Sequence, residues 1–155
     1  MVICILICAA TVVLDFATKA AVTAYLKPVG KLPIIDGVFN LTYLENRGAA
    51  FGMLSEHRWI FMVLSAAAIV ALLAYLWYAR KRDLMMRISL SLIAGGGIGN
   101  MIDRTRFGYV IDFIDVEAVW GYVFNIADCA VCIGCGLLVI WMIASELRAK
   151  KESKK

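Results

Sequence analysis

The stretch Phe124–Leu147, FNIADCAVCIGCGLLVIWMIASEL, decides the fold. It has the length of about twenty residues that a helix needs to cross a hydrocarbon core, and its few polar groups sit near its ends. Three more stretches read the same way: Met1–Leu26, Trp59–Tyr78 and Leu84–Ile102. The chain is 155 residues long and 63% hydrophobic, with a mean hydropathy of +0.82. A soluble domain of that length is far more polar. The sequence therefore predicts an all-α membrane protein of four transmembrane helices, one domain over residues 1–155 with a basic tail at 148–155. Within it, Asp128 opens the last span and Asp112 lies just before it in Tyr109-Val110-Ile111-Asp112-Phe113. A carboxylate at membrane depth is costly and marks a functional position by default.

The first stretch is not read as a cleaved signal peptide. It lacks a basic leading region, and Asp15 and Lys19 interrupt it where small residues would mark a cleavage site. Those two residues are four apart, acid first, the favourable order for a pair on one helical face. Charge then sets the orientation. Arg80, Lys81, Arg82 and Arg87, with Arg148, Lys150, Lys151, Lys154 and Lys155, make nine of the 16 Lys and Arg residues. Only Asp83, Glu146 and Glu152 accompany them. By the positive-inside rule both termini and the 80–87 loop are cytoplasmic, and segments 27–58 and 103–123 face outward. The basic tail reads as an orientation signal and a contact for anionic lipid, not as a nucleic-acid site.

The first outward segment carries its own pattern. Leu32-Pro33-Ile34-Ile35 and Val38–Leu44 flank Asp36-Gly37, a hairpin signal. Strict alternation would put Phe39, Leu41 and Tyr43 on one face, with Val38, Asn40, Thr42 and Leu44 on the other. A small half-apolar sheet on the outer leaflet is expected, followed at 103–123 by a short interfacial segment. Trp59, Trp77, Tyr78, Trp120, Tyr122 and Trp141 mark the membrane interfaces. His57, the sole histidine, reads as an interfacial polar residue, so no His-based metal site stands out. Cys129, Cys132 and Cys135 drift around a helix and cannot alone close a tetrahedral metal site. With Cys4 and Cys8, placed in lipid-facing company, they read as small hydrophobes.

Antiparallel spans bring the polar residues together. Asn100, Asp103 and Arg104 end the third span, Asn125 and Asp128 begin the fourth, Asp112 lies between them, and Asp15 approaches the same level. Gly95, Gly96, Gly97 and Gly99 allow a neighbouring helix to come close. Two neighbouring carboxylates share a proton, so one can deprotonate water while the other polarises a carbonyl. Other readings stay open on spacing alone. Asp103-Arg104 can be a helix-end ion pair, Asp128 can favour its helix dipole, and Asp112 can cap a short interfacial helix. A proton relay through Asp15, Asp103 and Asp128, or a non-catalytic adaptor using residues 32–54, fits as well.

Five motifs in order narrow the choice: Asp15-Phe16-Ala17-Thr18-Lys19, Asn46-Arg47-Gly48-Ala49-Ala50-Phe51-Gly52, Gly99-Asn100-Met101-Ile102-Asp103-Arg104, Val110-Ile111-Asp112-Phe113-Ile114 and Phe124-Asn125-Ile126-Ala127-Asp128. Together they resemble the bacterial lipoprotein signal peptidase family, signal peptidase II, over nearly the whole chain. The resemblance implies a metal-independent aspartic endopeptidase of the cytoplasmic (inner) membrane, with no cofactor and its site toward the outside. Its substrates would be diacylglyceryl-modified prolipoproteins, cut before the lipidated cysteine. Peptide-like inhibitors of the globomycin type and membrane lipids would be further partners. It implies Asp112 and Asp128 as the catalytic pair and Asn100, Asp103, Arg104, Asn125 and Asp15 as site support. Asn46, Arg47 and Gly48 would contact substrate. Asp103 is the rival for the role of Asp112. The chain departs from the family pattern at Tyr122, where a proline is usual.

Overall fold

The computed structural model describes residues 1–48, 58–117 and 122–153. Ala49 to Gly52 of the second motif, His57, Trp120, Lys154 and Lys155 lie outside the described residues. In chain order the elements are α1 (Val2–Tyr25), β1 (Lys31–Ile35), β2 (Phe39–Asn46), α2 (Arg58–Tyr78), α3 (Leu84–Arg106), β3 (Val110–Val116), β4 (Val123–Phe124) and α4 (Ile126–Glu152). Helices α1, α3 and α4 are long and apolar enough to cross a membrane; the apolar part of α2 is Met62–Tyr78. Much of their surface is exposed and apolar, as at Val13, Val63, Val70 and Ile140. Such a surface suits lipid and not water.

Helix α3 is the centre of the bundle and packs against α4, α1 and α2. Its glycines explain how. A Cβ at Gly95 would stand 2.8 Å from the Thr11 Cβ of α1, and one at Gly99 would stand 2.7 Å from Asp15 Oδ2. At Gly96 it would overlap the Ala127 carbonyl oxygen of α4. Small residues therefore let α1 and α4 approach α3 at the level of the polar residues. At the opposite end Cys4, fully buried, packs with Leu76, Ala79, Met86 and Leu90. Cys4 is thus a core residue and not lipid-facing, because α1 turns that face toward α2 and α3.

The strands form one antiparallel sheet in the order β1-β2-β3-β4. The expected hairpin is present: β1 pairs β2 around Asp36-Gly37, with Gly37 at φ +70°. Four expectations about these elements need correction. Residues 110–116 and 123–124 are strands of this sheet, not an interfacial helix or loose segment. Strict alternation in the second strand fails, because the β2–β3 register shifts between Leu41 and Leu44. Finally, the last helix begins at Ile126; Phe124 belongs to β4 and Asn125 caps the helix. Helix α3 also runs past the expected Ile102 to Arg106, which carries Asp103 and Arg104 within its last turn.

Candidate active site

The sheet register places Asp112. Strand β3 lies inside the sheet between β2 and β4, and Asp112 is only 1% exposed. Leu41 pairs with Ile114, yet Leu44 pairs with Asp112, so β2 carries one extra residue between them. That bulge flips the side chains beyond it to the other face. Asn46 therefore shares a face with Asp112 as its diagonal neighbour, and its Nδ2 donates to Asp112 Oδ2 at 2.9 Å. Gly48 N donates to Asn46 Oδ1 at 3.1 Å, which fixes the amide so that its NH₂ faces the carboxylate.

Helix α4 places Asp128. Asn125 and Asp128 form a capping box: Asp128 N donates to Asn125 Oδ1 at 2.8 Å, and Asn125 N donates to Asp128 Oδ2 at 3.2 Å. The three-residue spacing is the sequence signature of such a box, so Asp128 has a structural role at the helix end as well. Pairing of β4 with β3 brings the cap beside Asp112. The fully buried Asn125 donates from Nδ2 to Asp112 Oδ1 at 2.6 Å and to Asn100 Oδ1 at 3.0 Å. Asn100 Nδ2 in turn donates to Asp128 Oδ1 at 2.7 Å. Both carboxylates thus belong to one hydrogen-bonded unit with Asn46, Asn100 and Asn125.

Burial pushes the Asp112 carboxyl up to about 7 from its ordinary 3.8, and neighbouring Asp128 pushes the same way. Hydrogen bonds from Asn46 and Asn125 and the charge of Lys19 oppose that rise. A carboxyl with such a midpoint holds a proton near neutrality, as a general acid must.

Beneath this unit lies a buried ion cluster. Lys19 Nζ meets Asp15 Oδ2 at 2.7 Å, Asp103 Oδ2 at 2.9 Å and Asn100 Oδ1 at 3.1 Å. The acids use their remaining capacity on backbone: Asp15 Oδ1 accepts from Ala127 N at 3.0 Å, and Asp103 Oδ2 from Ile111 N at 3.2 Å. Ala127 and Ile111 immediately precede Asp128 and Asp112. Asp103 makes its ion pair with Lys19 of α1, and the charge of Arg104, the partner expected from the sequence, also acts on it. Lys19 is the residue that sequence reasoning undervalued. Its pairing with Asp15 was legible from the four-residue spacing, whereas its contacts with α3 depend on helix packing.

Arg104 lines the cleft that Asp128 and Asn100 also border, and its charge acts on Asp128, Asp112 and Asp103. The cleft, about 380 Å³, is otherwise walled by Ser65 and by apolar side chains of α2, α3 and α4, including Ile69, Leu72 and Met101. Arg47 projects outward, 3.6 Å from Glu45 and with its guanidinium 5.7 Å from the Tyr109 ring centroid. Among the described residues no group of three or more His, Cys, Asp or Glu is placed to hold a metal ion.

Comparison with known proteins gives a consistent result. Residues 7–144 match the family model described as signal peptidase (SPase) II. A lipoprotein signal peptidase of Clostridioides difficile is 44% identical over 88% of this chain and 92% of its own length. One of Halothermothrix orenii is 44% identical over 87% and 91%. A bacterial membrane enzyme structure solved by the in meso method at 2.3 Å superposes with a TM-score of 0.80 at 33% identity, covering 94% of this chain and 90% of that one.

Proposed function

The chain belongs to the signal peptidase II family and is a membrane protease of lipoprotein precursors, and from that premise we propose that Asp112 and Asp128 are its catalytic pair. The observation that carries the proposal is the Asn125 side chain, which donates to Asp112 while capping the helix that bears Asp128. Asp112 holds the proton of the pair, and Asp128, at the edge of the cleft, is the base. Asp128 takes a proton from water as the water oxygen bonds to the scissile carbonyl carbon, and Asp112 donates its proton to the carbonyl oxygen. When the tetrahedral intermediate collapses, the C–N bond breaks. The leaving nitrogen takes the proton from Asp128, and Asp112 recovers its own. No covalent enzyme intermediate is needed.

In this reading the apolar segment of the signal peptide lies in the cleft against α2, and Asn46, Arg47 and Gly48 meet its backbone near the cut. Asn100, Asn125, Asp103, Arg104 and Asp15 hold the pair in place. The substrate is a diacylglyceryl-modified prolipoprotein cut before its lipidated cysteine, and globomycin-type peptides compete for the same cleft. The whole chain is one domain with four spans in the cytoplasmic membrane. The excess of basic residues at 80–87 and 148–155 puts both termini in the cytoplasm, and the sheet and aspartates on the outer side. A proton relay is less well supported, since Asp15 and Asp103 are locked on Lys19 and backbone N–H groups.

The test is cleavage of a diacylglyceryl-modified precursor by purified Asp112→Asn and Asp128→Asn proteins. Each is expected to lose at least about a thousandfold in kcat. Unchanged cleavage by either removes that residue from the mechanism. Inhibition of the native enzyme by a chelator would require a metal-dependent route instead.

A further inference from the structure

A second concavity lies between α1, the last turns of α3 and the start of β3, and shares no lining residue with the cleft. Its volume is about 330 Å³, and Phe16, Ala20, Ala24, Phe107 and Ile111 give it apolar walls. Lys19 and Asp103 form its floor, so it backs directly onto the buried ion cluster.

Arg106 is the charged group of its rim. The side chain is exposed, and its guanidinium stands 5.7 Å from the Phe16 ring centroid and 5.2 Å from that of Phe107. Two rings hold the cation, and among the described residues no carboxylate pairs with it. Below Phe16 the surface of α1 continues apolar and open, with Val13 65% exposed. Held against Phe16 of a helix of membrane-spanning length, the exposed guanidinium at the end of α3 is open to an anion at the membrane surface. Its N–H edges match a phosphate, the anion that lipid headgroups supply at that level.

We propose that this groove binds one phospholipid of the sheet-side leaflet. The phosphate sits on Arg106, the glycerol and first acyl carbons fill the groove against Phe16 and Ala20, and the chains continue over Val13. Such a lipid closes the Lys19–Asp103 side of the ion cluster against water. The inference uses neither the catalytic pair nor the cleft, so it stands or falls apart from the proposed mechanism.

The experiment is native mass spectrometry of the full chain in detergent, titrated with phosphatidylglycerol and, separately, with neutral diacylglycerol. The native protein is expected to bind one phosphatidylglycerol in preference to diacylglycerol. Arg106→Gln should weaken that binding roughly fivefold, the effect of one basic side chain at an anionic membrane surface. Ala20→Trp, which fills the groove and keeps the arginine, should abolish it. Equal phosphatidylglycerol binding by native and Arg106→Gln proteins overturns the proposal. So does undiminished binding by Ala20→Trp, which would place the lipid elsewhere. Diacylglycerol binding as tightly as phosphatidylglycerol overturns it too, and would give the groove to the acylated substrate.

Discussion

Asn46 Nδ2 donates to Asp112 Oδ2 at 2.9 Å because β2 carries one residue more than β3 between Leu41 and Leu44. Without that residue Glu45 would share the face of Asp112, and a carboxylate would stand where an amide donor now does. The hydrogen bond favours the anion and restrains the Asp112 carboxyl from rising further. In the proposed mechanism Asp112 works protonated, so activity is present below its midpoint of about 7 and lost as pH rises through it. Asn46→Ala removes the donor, raises the midpoint and moves the alkaline limb of kcat/KM to higher pH. The rate at the optimum should fall on the order of tenfold to a hundredfold, because the carboxyl is less well aimed. A pH–rate profile reads both effects, and an alkaline limb that stays in place refutes the assignment of Asp112 as the acid.

Asp112 also predicts a conflict between stability and function. Its folded midpoint of about 7 lies above the ordinary 3.8, so the folded state binds more protons between those values. Folding stability contributed at low pH is therefore lost as pH rises through that window. Asp112→Asn removes the ionisation. At pH 8 the gain is on the order of 2 kcal/mol, since the new amide turns one N–H against an asparagine donor and offsets part of the effect. Thermal unfolding in detergent should show the variant inactive yet more stable at pH 8, with the advantage gone near pH 4. A variant less stable at pH 8 would show that the native carboxylate ionises there without cost.

How much of this was visible before folding varies by residue. Helices announce themselves by length and apolarity, so the expected spans match α1 to within one residue and α3 and α4 to within five, the last two running on past Ile102 and Leu147. The Asp36-Gly37 hairpin was equally plain, because turn chemistry is local. Strand β3 was not, although Val110–Val116 is rich in β-branched residues. Between two apolar stretches it reads as a short interfacial segment with Asp112 as a possible helix cap, and its partner β2 lies more than sixty residues earlier. The bulge in β2 likewise has no local marker. At the site, the motifs singled out Asn100, Asp103, Asp112, Asn125 and Asp128, but not which acid meets which amide. Nor does any motif mark the contact of Asp103, the rival of Asp112, with Lys19 of α1.

Lys19 is expected to dominate the stability of the bundle. Its side chain is 3% exposed and faces two acids that are nearly as buried. Lys19→Met leaves Asp15 and Asp103 buried without their cation, a loss of about 3–5 kcal/mol when one partner of a buried pair is removed. The exposed pair of Lys150 with Glu146 is the comparison, because both side chains are more than half exposed and solvent screens them. Chemical unfolding in detergent should place Lys19→Met far below the native protein and Lys150→Met beside it. Equal midpoints for the two variants would mean that the Asp15–Lys19–Asp103 cluster does not anchor the helices.

The glycines of α3 and α4 give a paired test of close approach. Gly96→Ala puts a methyl group into the Ala127 carbonyl and near the Val131 side chain, which is 2.8 Å from the built Cβ. Backbone cannot yield there without moving α4, and α4 carries Asn125 and Asp128 at its start. Overpacking of this kind costs about 1–3 kcal/mol. Displacement of the cap should also lower kcat, more than loss of stability alone explains. Gly136→Ala meets nothing within 4 Å and lies in the interior of α4. There the helix gains from the lower backbone entropy of alanine, by roughly 0.5–1 kcal/mol, and kcat stays unchanged. Measuring melting temperature and kcat on both proteins separates packing from propensity. A Gly96→Ala protein with native kcat would mean that the site tolerates a shift of α4, against the tight hydrogen-bonded unit built on Asn125.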